Sequence, residues 1–305
     1  MTATLRACLW MIGAVLSFTA MAIAGRQVST VHDTFEIMTY RSLLGIGIVF
    51  AAARIAGTWH EINGQQLGLH GLRNVAHFTG QNLWFYAIAV LPLAQVFALE
   101  FTTPIWVLLL APLLLGERLT RIGLIAALIG FAGVLVVTRP GSTPLSPGVV
   151  AAALCAVGFA ISALLTRRLT RTQSVTCILF HLCVMQTAFG LICGLIDGQM
   201  AWPNLATLPW LTVIGVAGLF AHFCLTTALG LAPASTVMPV DYIRLPAAAL
   251  VGALLYGEAI DPFILLGAVL IIAGNMLNLT QRQASPTAAP VPLGKRDTDQ
   301  SPASH

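Results

Sequence analysis

Residues 92–117 read PLAQVFALEFTTPIWVLLLAPLLLGE, and residues 233–258 read PASTVMPVDYIRLPAAALVGALLYGE. An offset of 141 residues lays one on the other without a gap. Pro92 falls on Pro233, Val96 on Val237, Leu109 on Leu250, and Gly116-Glu117 on Gly257-Glu258. The same offset carries Gly133 to Gly274. Earlier in the chain it carries Phe18 to Phe159, Ala22 to Ala163, Arg26 to Arg167 and Ala87 to Ala228. Apolar sequence produces chance matches, so the Pro, Gly-Glu and Arg pairs carry most of the weight. The chain is an internal duplication.

Composition says what is duplicated. Of 305 residues, 57% are apolar and 9% charged. A soluble domain carries about 25% charge, so a water-soluble enzyme, a secreted disulfide scaffold and a disordered chain are all excluded. At roughly 20 apolar residues per crossing, ten spans are expected, at 5–24, 36–55, 72–91, 94–114, 121–138, 148–166, 176–196, 209–229, 235–255 and 262–279. The apolar runs are long and do not alternate, which favours helices over a barrel. The first repeat is expected over 1–138 and the second over 139–280. A disordered cytoplasmic tail rich in Pro, Ser, Thr and Ala is expected over 281–305. Ala22-Ile23-Ala24 fits a signal cleavage pattern, but the repeat uses this first span as part of the fold.

Five spans per repeat is an odd number, so the second repeat enters the membrane from the opposite side. The halves are then related by a pseudo-two-fold axis in the membrane plane. Many secondary transporters are built this way, with the substrate near the midplane between repeats. Basic residues set the orientation. Arg6, Arg54, Arg73, Arg118, Arg121, Arg167, Arg168, Arg171, Arg282, Lys295 and Arg296 fall on one side, against Arg26 and Arg139 on the other. By the positive-inside rule both termini are expected in the cytoplasm. The formal charge of +4 therefore reflects topology. No basic run interleaved with aromatics suggests a nucleic-acid partner.

These motifs resemble the drug/metabolite transporter superfamily, specifically its ten-span EamA type. The residues that carry the resemblance are Ala94-Gln95-Val96, Pro104, Leu115-Gly116-Glu117-Arg118 and Gly130-x-x-Gly133 in the first half. In the second half they are Ala234-Ser235-Thr236-Val237, Pro246 and Tyr256-Gly257-Glu258. The resemblance covers about residues 5–279. It implies a bacterial inner-membrane transporter working by alternating access. Its central cavity would be lined by spans three, four, eight and nine and the first span of each half. The implied cargo is a small polar metabolite such as an amino acid, nucleobase, vitamin or drug-like solute.

Ionisable groups at membrane depth face a cavity or a partner. Glu100 and Asp241 occupy equivalent places in the two repeats. They read as a carboxylate pair that binds cationic groups or protons, or as members of a buried salt bridge. Arg244, one helical turn after Asp241, either pairs locally or grips an anionic substrate. Arg41, near the outer end of the second span, reads as snorkelling to the interface, or as a partner for Glu100, Asp241 or an anionic substrate. His77, Gln81 and Trp84 share one face of the third span, suited to a polar, partly aromatic ligand or to a hydrogen-bonded helix seam. His222 in the eighth span could carry a proton or donate to a helix carbonyl. The expected substrate-binding set is Glu100, Asp241, Arg244, His77, Gln81, Trp84 and His222, with protons as a candidate coupling ion. Pro104, Pro239 and Pro246 free backbone carbonyls beside Glu100 and Asp241, which suggests hinges. Gly116-Glu117 and Gly257-Glu258 read as helix ends, with each Glu capping the turn or pairing with an Arg such as Arg118 or Arg121.

The six cysteines lie in or at apolar spans without C-x-x-C spacing and read as small hydrophobes. No metal site is expected from their spacing, and His181 reads as structural. No phosphate loop, dinucleotide fingerprint or nucleophile elbow occurs. Histidines and carboxylates alone make a poor intramembrane enzyme, so no enzymatic activity and no cofactor are expected. The alternative to transport is a membrane receptor or assembly factor on the same fold that binds without flux.

Overall fold

A computed structural model describes residues 2–116, 119–139, 145–196, 200–232, 237 and 240–284. Its helices are α1 (Ala3–Val28), α2 (Thr34–Ala56), α3 (Leu67–Val90), α4 (Leu93–Glu100), α5 (Thr103–Leu115), α6 (Arg121–Thr138), α7 (Pro147–Leu169), α8 (Val175–Gly194), α9 (Leu208–Leu231), α10 (Arg244–Tyr256) and α11 (Pro262–Ala284). No strand occurs among the described residues. Eight segments, counting α4 and α5 as one, are long and apolar enough to cross a membrane, and α10 is a shorter apolar helix. The fold is all-α, with two five-helix repeats.

The duplication is written into the helix boundaries. Adding 141 to the ends of α3 and α5 gives both ends of α9 and α10. The starts of α2 and α6 map likewise onto those of α8 and α11, and the end of α1 onto that of α7. Local chemistry explains the coincidence. Asp33 and its counterpart Ser174 each accept a backbone N–H three residues on, capping α2 and α8. Gly116 and Gly257 end α5 and α10 with φ of 70° and 63°, a left-handed conformation that suits glycine.

α3, which holds the expected third span, is long enough to cross a membrane but less apolar than the others, because its buried face carries His70, Arg73, Asn74, His77, Gln81 and Asn82. A helix with that face can sit at membrane depth only if protein covers it.

Packing runs between the repeats. α1 lies along α9 and its counterpart α7 along α3, while α2 packs on α8 and α6 on α11. The α6–α11 crossing is glycine-based. A Cβ on Gly133 would meet the Gly267 carbonyl oxygen at 2.5 Å, and one on its counterpart Gly274 would meet that of Ala126 at 2.5 Å. Small residues permit such close backbone approach.

The fourth span is two helices. Phe101 and Thr102 separate α4 from α5, with Pro104 in the first turn after the break. The freed carbonyls find side chains: Thr103 Oγ1 donates to the Glu100 oxygen at 2.6 Å, and Asn275 Nδ2 to the Phe101 oxygen at 2.7 Å. In the ninth span a turn at Tyr242-Ile243 precedes α10. Phe101 and its counterpart Tyr242 meet edge to face at 5.3 Å. Equivalent residues in contact are what a two-fold axis between the repeats requires. Pro239 and the tail from 285 onward lie outside the described residues.

Two expectations about arginines are corrected. Glu258 does not pair with Arg118 or Arg121. It binds Arg26, which also donates to the Ile88 and Leu91 carbonyls at the end of α3. The other oxygen of Glu258 accepts the Leu93 N–H that opens α4, at 2.9 Å. The inverted topology puts Glu258 at the end of the molecule away from Arg121, where Arg26 lies. Glu117 and Arg118 are outside the described residues. Arg41 does not snorkel: it is 9% exposed and turned inward.

Candidate substrate site

Two polar clusters lie at membrane depth, joined by one face of α3. The first gathers Glu100, Asp241, Arg244 and Trp84. Arg244 reaches Glu100 Oε1 through Nη1 and Asp241 Oδ2 through Nη2, each at 3.1 Å. Trp84 Nε1 donates to Glu100 Oε2 at 2.8 Å. The rings of Phe18, Phe97 and Phe101 stand 4.9, 5.0 and 5.0 Å from the guanidinium carbon. Arg244 is thus enclosed by carboxylates and by aromatic faces, both favourable to a desolvated cation. Two carboxylates against one guanidinium leave one formal negative charge in excess. Asp241 Oδ1 has no hydrogen-bond partner.

The second cluster is built on Arg41. Its guanidinium donates to Gln81 Oε1 and lies 3.7 Å from Met38 Sδ. No carboxylate pairs with it among the described residues. It sits seven residues into α2, about 10 Å from that helix's end at a rise of 1.5 Å per residue. Gly218 of α9 makes room for it, since a Cβ there would meet Nη2 at 3.2 Å. His77, one turn before Gln81, faces Phe159 at 5.9 Å and His222 at 6.4 Å between ring centroids. His222 in turn meets Phe18 edge to face at 5.7 Å. His77 Nε2, Asn82 Oδ1 and Gln186 Oε1 are buried without hydrogen-bond partners. Further along α3, Arg73 is also buried and is held by Thr166 and Asn74.

The structure therefore brings together all seven residues singled out from sequence, as two groups. Glu100, Asp241, Arg244 and Trp84 form one; His77, Gln81 and His222 form the other. Phe18 touches both. The stripe His77, Gln81, Trp84 runs from one group to the other, as its i, i+4, i+7 spacing requires. Sequence reasoning left Arg41 out of the expected set, because it favoured the interface over the interior for that side chain. The signal that could have found it is its depth in the span: an arginine two turns inside a helix end needs an interior partner as often as an interface.

The basic and aromatic layer can bind an acceptor-rich planar group, and the acidic layer can take up a cation or a proton. Residues 5–139 and 146–280 each match the EamA-like transporter family. This chain belongs to the EamA-like transporter family. A riboflavin transporter of Vibrio cholerae serotype O1 is 28% identical over 275 residues, covering 88% of this chain and 91% of that protein. A riboflavin transporter of Rhizobium johnstonii is 31% identical over 220 residues, covering 71% of this chain and 72% of the other. An S-adenosylmethionine uptake transporter of Rickettsia bellii is 21% identical over 267 residues, covering 88% and 91%. A solved crystal structure superimposes with a TM-score of 0.63 over 92% of this chain and 99% of the other, at 21% identity, which establishes the shared fold. The EamA-type member is a multi-pass membrane protein that transports a small metabolite.

Proposed function

We propose that this transporter carries a planar, acceptor-rich heteroaromatic metabolite of the flavin class across the bacterial inner membrane by alternating access. The observation that carries the reading is Arg41: a buried guanidinium with no carboxylate beside it among the described residues, bonded to Gln81, one turn along α3 from His77, whose ring faces Phe159 and His222. An unpaired buried cation is costly unless something supplies acceptors. A fused ring system with carbonyl and ring-nitrogen acceptors on its edge does so, and its faces stack on the surrounding rings. Arg41 and Arg73 disfavour a sulfonium cation such as S-adenosylmethionine at the same place, which separates this reading from that of the Rickettsia relatives.

In this reading His77, Gln81, His222 and Arg41 contact the substrate, with the basic end of the bundle in the cytoplasm. Glu100, Asp241, Arg244 and Trp84 form the adjoining wall, where the excess carboxylate charge takes up a co-transported proton. The substrate passes through chemically unchanged. The two helix breaks, at Phe101-Thr102 and Tyr242-Ile243, supply the hinges for rocking one repeat against the other.

The test is flux into liposomes holding the purified protein. Radiolabelled riboflavin is expected to move, to be unaffected by excess S-adenosylmethionine, and to slow by roughly tenfold or more with Arg41→Ala. Transport of S-adenosylmethionine with none of the flavin would overturn the substrate assignment. A flavin that raises the melting temperature of the protein but is not moved would identify a receptor instead. Proton coupling is read separately, as flavin accumulation driven by an imposed pH gradient and lost in Glu100→Gln or Asp241→Asn.

A further inference from the structure

We propose that His70, Cys177 and His181 form a binding site for one thiophilic metal ion, zinc(II) or copper(I), at the basic end of the bundle. The site is independent of the substrate reading. Cys177 and His181 are one turn apart on α8, and His70 comes from the first turn of α3. All three are buried, and their candidate ligand atoms lie within 4.8 Å of one another. The rings of His70 and His181 stack at 4.4 Å with an interplanar angle of 26°.

His70 supplies the reason to look for a ligand. It is 0% exposed, and neither of its ring nitrogens has a hydrogen-bond partner. A neutral imidazole always carries one donor and one acceptor, and burying both unpaired is costly. Coordination to a metal satisfies the acceptor nitrogen.

The geometry is close to what coordination needs. Metal–sulfur and metal–nitrogen bonds of about 2.3 and 2.0 Å at tetrahedral angles put ligand atoms about 3.3–3.6 Å apart. Cys177 Sγ and His181 Nδ1 are 3.6 Å apart; that nitrogen now donates to the Cys177 carbonyl at 2.9 Å and exchanges this bond for the metal, its proton passing to Nε2. The widest separation must close by about 1 Å on that comparison, which side-chain rotation can supply. Asn74 Nδ2 donates to the His181 carbonyl at 3.4 Å, tying α8 to α3, while Gln173 Oε1, which accepts from the Cys177 thiol at 3.3 Å, gives up that bond when the thiolate forms. One thiolate and two imidazoles select a soft or borderline ion over magnesium or calcium. The Cys177 proton leaves to water on binding, and the thiolate offsets the charge of the ion beside Arg73.

The repeat provides an internal control. His32, Glu36 and Tyr40 stand 141 residues before Gln173, Cys177 and His181. There the donors and acceptors meet one another: His32 bonds Glu36 and Thr207 at 3.0 Å each, and Tyr40 donates to the Ala201 carbonyl at 2.7 Å. The same scaffold is closed by hydrogen bonds at one end. At the other it presents soft donors and an unpartnered imidazole.

The experiment titrates the detergent-purified full chain, with its affinity tag removed, in two arms. With cobalt(II), the wild type is expected to develop the d–d bands of a tetrahedral centre and a sulfur-to-cobalt charge-transfer band, both erased by zinc(II). With copper(I), it is expected to compete with a chromophoric copper(I) chelator. Cys177→Ala and His70→Gln lose binding in the arm that succeeds, while Cys193→Ala, at the far end of the same helix, keeps it. Gel filtration shows that each variant remains monodisperse. The bound ion raises the melting temperature of the wild type and of Cys193→Ala only. Uptake of neither ion by the wild type, or unchanged spectra in both Cys177→Ala and His70→Gln, would overturn the proposal.

Discussion

Arg244 and Arg41 are both buried arginines at membrane depth, and the chain treats them in opposite ways. Arg244 holds two carboxylates and is ringed by three phenylalanines. Arg41 has an amide and a thioether for company. The first arrangement is closed: its partners belong to the protein, and removing the cation strands them. The second is open: no carboxylate pairs with it among the described residues. On the function proposed above, the difference separates charge that holds helices together from charge that is kept for cargo.

The comparison can be broken most forcefully at Arg244. Arg244→Met leaves Glu100 and Asp241 buried without a counter-charge, a loss of about 3–5 kcal/mol for a broken buried pair. The melting temperature in detergent is expected to collapse, and a variant as stable as the wild type would show that the triad does not hold the fold. Arg41→Ala is expected to do the reverse. It should reduce flavin transport by roughly tenfold to hundredfold, the about 1.5–3 kcal/mol of a hydrogen bond to a charged group. Stability should change little, because no carboxylate is stranded. Equal losses of stability in the two variants would erase the distinction. Arg41→Lys sharpens it. The charge survives but the planar fork does not, so transport should recover in part, with a raised KM as the readout. Trp84→Phe is the mildest change. It keeps most of the ring and removes the N–H given to Glu100, and it should lower stability by about 1 kcal/mol.

Much of this was legible in the chain itself, and for a physical reason. A helix boundary is set by local chemistry: a side-chain cap, a proline, a glycine that accepts a positive φ. Repeated residues such as Gly116 and Gly257 therefore repeat the boundary. The stripe His77, Gln81, Trp84 could be read because helical spacing fixes which residues share a face. What escaped was tertiary. Glu258 chose Arg26, which is distant in sequence, over arginines that only seemed nearby. Arg41 turned inward because Gly218 and Gln81 leave room and an acceptor, and neither is visible from the second span alone. Cys177 and His181 carry helical spacing on one face, yet His70, the residue that makes them a cluster, comes from another helix and obeys no motif.

The Arg26–Glu258 contact has a kinetic consequence. Arg26 ties off the last carbonyls of α3, and Glu258 ties off the first N–H of α4. Gly252 leaves the space into which the Glu258 side chain folds back. Moving Glu258 away breaks its ion pair with Arg26 and uncovers the first N–H of α4 in the same movement. Those losses arrive together and cannot be taken one at a time. That end of the transporter should therefore open as a switch, dwelling in shut and open states with few halfway positions between them.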